Sequence, residues 1–168
     1  GISVIDDSKC IRCGKCVHSC PFGAIGYKSS IVNVIKAIKS GKKVYAMLAP
    51  ATEGQFGVDI TMESWKKAMK EVGFTDFIEV GLGGDLTAKY EAEEWVEAYK
   101  DGRKKVTSCC PGFVNLVRKH YPELSDMIST TVSPMCAVSR LVKAKEPDAV
   151  TVFIGPCLAK KSEIADQR

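Results

Sequence analysis

Several absences narrow this chain before any motif is read. No apolar run approaches the roughly 18 residues that a membrane-spanning helix needs, so no membrane partner is expected. The N-terminus has no basic stretch followed by an apolar core and a small-residue cleavage site, so no secretory signal is read there. Strong charge of one sign is also missing: the formal net charge is +4, and the lysines are spread along helices and strand starts. Such lysines read as solvated faces, and nucleic acid is not an expected partner. Histidine is scarce, with two in the chain. His18 reads as exposed, and His120, beside Tyr121 and Pro122, as a helix-end residue that complements the dipole. The glycines of Gly81-Leu82-Gly83-Gly84 lack the spacing of a dinucleotide fingerprint and read as a turn. Trp65 and Trp95 read as core residues.

Cysteine, by contrast, is abundant, with eight in 168 residues. A secreted disulfide framework would be short and loop-rich, with a signal peptide. Here four cysteines form one metal-type run and the others stand beside strand ends, which points to thiolate–metal bonds in a reducing, cytoplasmic location. Hydrophobic residues make up 45% and the mean hydropathy is −0.03, the composition of a globular protein with material for a core. The chain opens at Gly1 rather than Met, and Ala165-Asp166-Gln167-Arg168 reads as lying in the first turns of a helix, so a fragment is expected.

Along the chain, residues 1–28 read as a small cysteine-rich segment and residues 29–168 as an α/β domain. Ile31, Val34, Ile35 and Ile38 share one helical face, with Gly41 just past its end. Residues 43–48 then form an apolar run that reads as a buried strand. Thr61 caps a helix that stops at Gly73. Further strands are expected over 76–80, 104–108 and 149–154. Between them, helices are expected from Asp85 to about Tyr99, from Pro111 to about His120, and from Ser133-Pro134 to about Lys145. Pro156-Cys157 opens a closing helix. This alternation predicts a parallel sheet of about four strands with helices on both faces.

Cys10, Cys13, Cys16 and Cys20 are separated by two, two and three residues, and Pro21 follows. That spacing lets three thiolates wrap one iron–sulfur cube, while the cysteine before proline reaches the other cluster of a two-cluster ferredoxin. Residues 1–28 therefore resemble half of a bacterial-type ferredoxin. Cys10, Cys13 and Cys16 read as ligands of a 4Fe-4S cluster whose fourth ligand comes from a motif not present here. In a single-cluster variant Cys20 would close the same cube. A zinc site usually carries paired two-cysteine knuckles instead.

Cys110 and Cys157 share a setting. Each follows an apolar strand and stands beside a proline where a helix begins. Ligands of open parallel sheets sit outside the carboxyl ends of strands, and helix N-termini favour anions such as a thiolate-bound cluster. Taken alone, each cysteine reads more readily as a buried structural residue; beside the N-terminal run, both read as ligands.

At this point the sequence resembles the [FeFe]-hydrogenases. Their TSCCPxW signature is matched by Thr107-Ser108-Cys109-Cys110-Pro111, with Phe113 in place of tryptophan. Their MPCxxKxxE signature is matched by Pro156, Cys157, Lys160 and Glu163, with Gly155 in place of methionine. Ala49-Pro50-Ala51, Asp85-Leu86-Thr87 with Glu91 and Glu94, and Ser133-Pro134-Met135 extend the resemblance over essentially the whole chain. It implies that Cys110 and Cys157, with Pro156 beside the latter, bind the cubane of an H-cluster, a 4Fe-4S cluster joined to a di-iron subsite. It also implies that Cys109 is the proton donor and acceptor at that subsite, and that Glu94, Ser133 and Glu91 relay protons away from it. Lys160 would donate to a cyanide ligand, with Glu163 paired near it at a helical spacing of three. Without the resemblance, Glu91 and Glu94 read as part of a solvated acidic face with Glu93 and Glu97. Ser139 stands where glycine is usual, and Cys136 reads as a core thiol. The third signature, carrying the last two cubane cysteines, is absent from these residues.

Three functions are carried forward. One is reversible reduction of protons to H2, with electrons from a ferredoxin or similar carrier entering through the N-terminal cluster. Another is a non-catalytic hydrogenase-like protein of iron–sulfur assembly, a class that lacks the cysteine in the place of Cys109. The last is an H2 sensor coupled to a signalling partner. With two of four cubane thiolates, the 168 residues by themselves are expected to be inactive.

Overall fold

A computed structural model describes residues 4–165. Its contacts divide these residues into two compact units. One comprises residues 28–86 and 134–156; the other comprises the residues up to 27, 87–133 and those from 157 on.

The first unit holds the sheet. Strands β1 (Val44–Leu48), β2 (Asp76–Glu79) and β3 (Val150–Ile154) are parallel, in the order β2-β1-β3. Val44, Ala46 and Leu48 lie in register with Val150, Val152 and Ile154. Side chains alternate along a strand, so these residues share one face. Val34, Ala37 and Ile38 of helix α2 (Ile31–Lys39) and Met69 of helix α3 (Met62–Val72) pack against that face. The opposite face carries Thr151, whose hydroxyl lies 2.8 Å from that of Ser139 on helix α6 (Pro134–Lys145). Helices therefore cover both faces, as a parallel sheet requires. The predicted ends of α3 are both formed: the Thr61 hydroxyl accepts from the Ser64 amide, and Gly73 closes the helix at φ 110°. Cys136 is buried, in keeping with its reading as a core thiol.

The structure departs from two expectations. Gly81, Leu82, Gly83 and Gly84 do not form a turn; helix α4 runs from Gly81 to Lys100. Gly83 is needed for close packing, because a Cβ there would stand 2.2 Å from the Pro134 carbonyl oxygen and 2.8 Å from Val138 Cγ2. Residues 104–108, expected as a fourth strand, form only a parallel bridge between Val106 and Ile128. Val106 is the sole large apolar residue of that stretch, and a neighbouring carboxylate captures the amide of Ser108.

The second unit has less regular structure. Its small core joins Val114 and Val117 of helix α5 (Pro111–His120) to Ile128, with Val106 and Phe113 against them. Helix α7 (Lys160–Ala165) packs on α5, and a short helix α1 (Lys15–Ser19) lies within the cysteine loop. Trp95, expected in a core, is exposed; it stacks on Tyr99 and donates to the Lys105 carbonyl. Residues 166–168, at which a closing helix was expected to continue, lie outside the described residues. Among the described residues no helix is long and apolar enough to cross a membrane.

Candidate functional site

Cys110 occupies the N-cap position of α5, with Pro111 as the first helical residue, where its missing N–H costs nothing. An added Cβ on Gly112 would lie 3.9 Å from Cys110 Sγ and 3.7 Å from the methyl of Ala159. The first turn of α5 thus lies against the turn that follows Cys157. Lys160 completes this meeting: its Nζ donates to the Cys109 carbonyl at 3.2 Å and to Glu163 Oε2 at 3.1 Å. The two side chains are 13% and 3% exposed. Taking such charges out of water costs several kcal/mol per ion unless each finds a partner. Here the carboxylate, the ammonium and a backbone carbonyl satisfy one another.

Behind the cysteines stands α4. Gly83, Thr87, Glu91, Glu94 and Ala98 form its inner stripe, while Glu93 and Glu97 are exposed. The Glu91 carboxylate accepts from the Thr107 hydroxyl at 2.8 and 2.9 Å, from the Ser108 amide at 2.8 Å and from the Ser108 hydroxyl at 3.2 Å. Thr107 in turn accepts from the Cys109 amide at 3.3 Å. Glu94 takes the amide of Thr130 at 3.1 Å, together with the Thr130 hydroxyl. Burial pushes the Glu94 carboxyl up, but the Thr130 and Ser129 hydroxyls, the Thr130 amide and the charge of Lys105 outweigh it and hold the group below the usual carboxylate range. Thr87 donates to the Val132 carbonyl at 3.1 Å. Ser133 is buried, and Pro156 is exposed in the bend before Cys157. Each carboxylate is thus occupied by loop donors, Glu91 at residues 107–108 and Glu94 at residues 130–131.

The N-terminal loop is built around sulfur. Arg12 adopts φ 62° and Gly14 φ 78°, which turn the backbone so that the Arg12 amide points at Cys10 Sγ, 3.4 Å away. Cys20 Sγ accepts from the Ala24 amide at 3.3 Å. The amides of Ala24 and Phe22 lower the pKa of the Cys20 thiol and so favour the thiolate that a cluster binds. Cys13 and Cys16 are exposed, as are Cys110 and Cys157, and all eight thiols are free of disulfides. Among the described residues no three His, Cys, Asp or Glu side chains gather around one point as they would for a single metal ion. A cubane gives each thiolate its own iron atom and so does not need three side chains around one point; the amides aimed at Cys10 Sγ and Cys20 Sγ suit the anionic sulfur that such a cluster binds.

Residues 42–168 match the family described as iron only hydrogenase large subunit, C-terminal domain. The chain belongs to that family. Residues 3–26 match the 4Fe-4S binding domain, so an iron–sulfur segment precedes the hydrogenase-family domain. The chain is 35% identical over 211 residues to the periplasmic [Fe] hydrogenase large subunit of Nitratidesulfovibrio vulgaris, covering 95% of itself and 50% of that protein. It is 26% identical over 174 residues to the cytosolic Fe-S cluster assembly factor NAR1 of Candida dubliniensis, covering 93% of itself and 30% of that protein. Among solved structures it resembles apo [FeFe]-hydrogenase HydA1 from Chlamydomonas reinhardtii, variant C377H, with a TM-score of 0.67 and 26% identity over 77% of this chain and 39% of that one. The chain therefore spans between about a third and a half of the hydrogenases it matches.

The fold brings Cys109, Lys160 and Glu163 into one bonded group, with Gly112 beside the Cys110 sulfur. It places Glu91 and Glu94 behind the loops that carry or flank that group. Sequence reading missed the partners: Thr107 and Ser108 as ligands of Glu91, Thr130 as the ligand of Glu94, and Asn115 and Lys119 as ligands of the cysteine loop. The one available signal was the stripe of small and polar residues at helical spacing on α4.

Proposed function

We propose that this chain is the N-terminal part of an [FeFe]-hydrogenase that reversibly reduces protons to H2. The observation that carries the reading is Lys160, partly buried and bonded to both the Cys109 carbonyl and Glu163, which links residues of the two cysteine signatures. In this reading residues 1–28 form the ferredoxin-like segment and residues 29–168 the hydrogenase part. Cys10, Cys13 and Cys16, with or without Cys20, hold a 4Fe-4S cluster. Cys110 and Cys157 supply two of the four thiolates of the H-cluster cubane, with Pro156 shaping the approach to Cys157. When bound, that cofactor supplies the redox chemistry that joins two electrons and two protons.

The remaining steps belong to the protein. Cys109 carries a proton at Sγ, and its backbone is held by Thr107 and by the Lys160 ammonium. Glu91, Glu94 and Ser133 pass protons between that thiol and water, the carboxylates being kept in place by the hydroxyls that they accept from. Lys160, fixed by Glu163, presents a compact positive charge to a small anionic ligand. The electron partner is a ferredoxin-type carrier, and the free thiols suit a reducing, cytoplasmic compartment.

A second reading, a non-catalytic assembly protein, is supported by the likeness to the cytosolic assembly factor. Cys109 favours the enzyme, since its thiol has no task in a protein that only carries clusters. The test is anaerobic reconstitution of this chain and of a longer protein that also contains the third signature, followed by metal analysis and a hydrogen-evolution assay. The longer protein should evolve H2 after maturation and lose at least 100-fold on Cys109→Ala, while these 168 residues should bind iron and sulfide without evolving H2. Stable di-iron on the 168 residues, or a fully active Cys109→Ala protein, would sink the reading.

A further inference from the structure

Helix α5 starts at Cys110 and ends on the loop of the other cysteine run. Lys119 Nζ donates to the carbonyls of Asp7 at 2.6 Å and Cys10 at 2.8 Å. His120 Nε2 lies 2.8 Å from the Lys9 carbonyl. One turn earlier, Asn115 Nδ2 donates to the Ile11 carbonyl at 3.3 Å and to Ser162 on α7 at 3.2 Å. The carbonyls of Asp7, Lys9, Cys10 and Ile11 are thereby all met by side chains of one helix. From Cys110 to Lys119 the helix rises about 14 Å at 1.5 Å per residue, which fixes the axial distance between the cysteine at its start and the loop at its end.

A second contact is independent of that helix. Gly14, directly after Cys13, has Leu158, directly after Cys157, seated on it; a Cβ on Gly14 would stand 2.6 Å from Leu158 Cδ1. The loop's glycine is therefore required twice, by its φ of 78° and by the leucine that fills the space above it.

We propose that Lys119 and Leu158 are positioning residues that dock the loop of residues 10–16 against the Cys157 turn, so that a cluster held there faces the second centre across the Gly14–Leu158 contact. This rests on the functional reading above. The Lys119 ammonium adds a second consequence. Reduction adds negative charge to a cluster, and a cation beside the Cys10 carbonyl stabilises the reduced form, which raises the reduction potential. Lys119 is exposed, so salt screens this effect.

The test is a redox titration of the anaerobically reconstituted chain, followed by electron paramagnetic resonance. Lys119→Met should move the midpoint of the N-terminal cluster to more negative potential, by an amount that shrinks as salt is raised. Lys119→Arg should keep the wild-type midpoint. Leu158→Ala should release cluster iron to a chelator several-fold faster than wild type. Loss of the cluster from Lys119→Met while Lys119→Arg retains it also supports docking. An intact cluster in Lys119→Met with an unmoved midpoint at low salt, or an unchanged release rate in Leu158→Ala, overturns the proposal alone. A wild-type chain that takes up no iron fails the functional reading and takes this proposal with it.

Discussion

The sheet unit and the loop unit are held together by different forces. In the first, Val44, Ala46 and Phe74 are buried against residues of two helices and of β3, and the strands bond backbone to backbone. In the second, a buried cluster of three residues is supplemented by side chains that grip backbone: Glu91 on Ser108, Glu94 on Thr130, Thr87 on Val132, Lys119 on Asp7 and Cys10. Apolar burial is non-directional and tolerates repacking, whereas a carboxylate that accepts an amide fixes that amide in one place. All the cysteines except the buried Cys136 stand in the unit built by the second method. Within that unit, directional bonds hold the backbone at Cys10 and Cys109 and reach the sulfur of Cys10 and Cys20.

Four experiments would break or sharpen this contrast. The largest effect is expected at Leu48, which is 2% exposed in the central strand; Leu48→Ala should cost about 3 kcal/mol in denaturant unfolding by loss of burial and a residual cavity. A change under half of that would mean that the sheet unit is not held by its core. Next comes Glu91→Ala, which strands the Ser108 amide and should cost about 2 kcal/mol. Hydrogen exchange should speed up at residues 107–109 with β1 unchanged; a spread of the effect into β1 would merge the two units. Third is Glu94, whose folded pKa lies below its unfolded value. Its contribution is therefore present above the ordinary carboxylate range and is lost as pH falls through the folded pKa. Glu94→Gln should flatten the acid limb of the stability curve, and an unaltered limb would remove Glu94 from the account. Smallest is the Lys43–Glu146 pair, 2.7 Å apart, with Lys43 exposed and Glu146 half-buried. Lys43 raises no barrier to unfolding that salt would not already screen, so Lys43→Met should leave the denaturation midpoint within error.

Much of the frame was legible in the residues themselves. Runs such as residues 43–48 and 149–154 are apolar enough to declare strands, and Thr61 and Gly73 carry cap chemistry that works locally. Residues 104–108 misled because a strand was read from position in the alternation, while Val106 alone supplies apolar surface. The glycines before Asp85 misled for a different reason: Gly83 is set by a carbonyl at Pro134, far away in sequence. The same distance hid the site's supports. Lys119 and His120 look like the basic end of any helix, and their partners lie more than 100 residues upstream. Glu91 and Glu94 resemble Glu93 and Glu97 until the helix is rotated against its neighbours.

Gly155 stands where the family signature has methionine, and a Cβ there would lie 2.8 Å from Phe153 Cζ and 2.8 Å from the Ala49 methyl. The phenyl ring two residues earlier already fills the room that a longer side chain would claim. A methionine at Gly155 would thus meet both the Phe153 ring and the Ala49 methyl, and Phe153→Ala would relieve only the first of these contacts. The motif's missing side chain therefore calls for room from two neighbours, one on each of two adjacent chain segments.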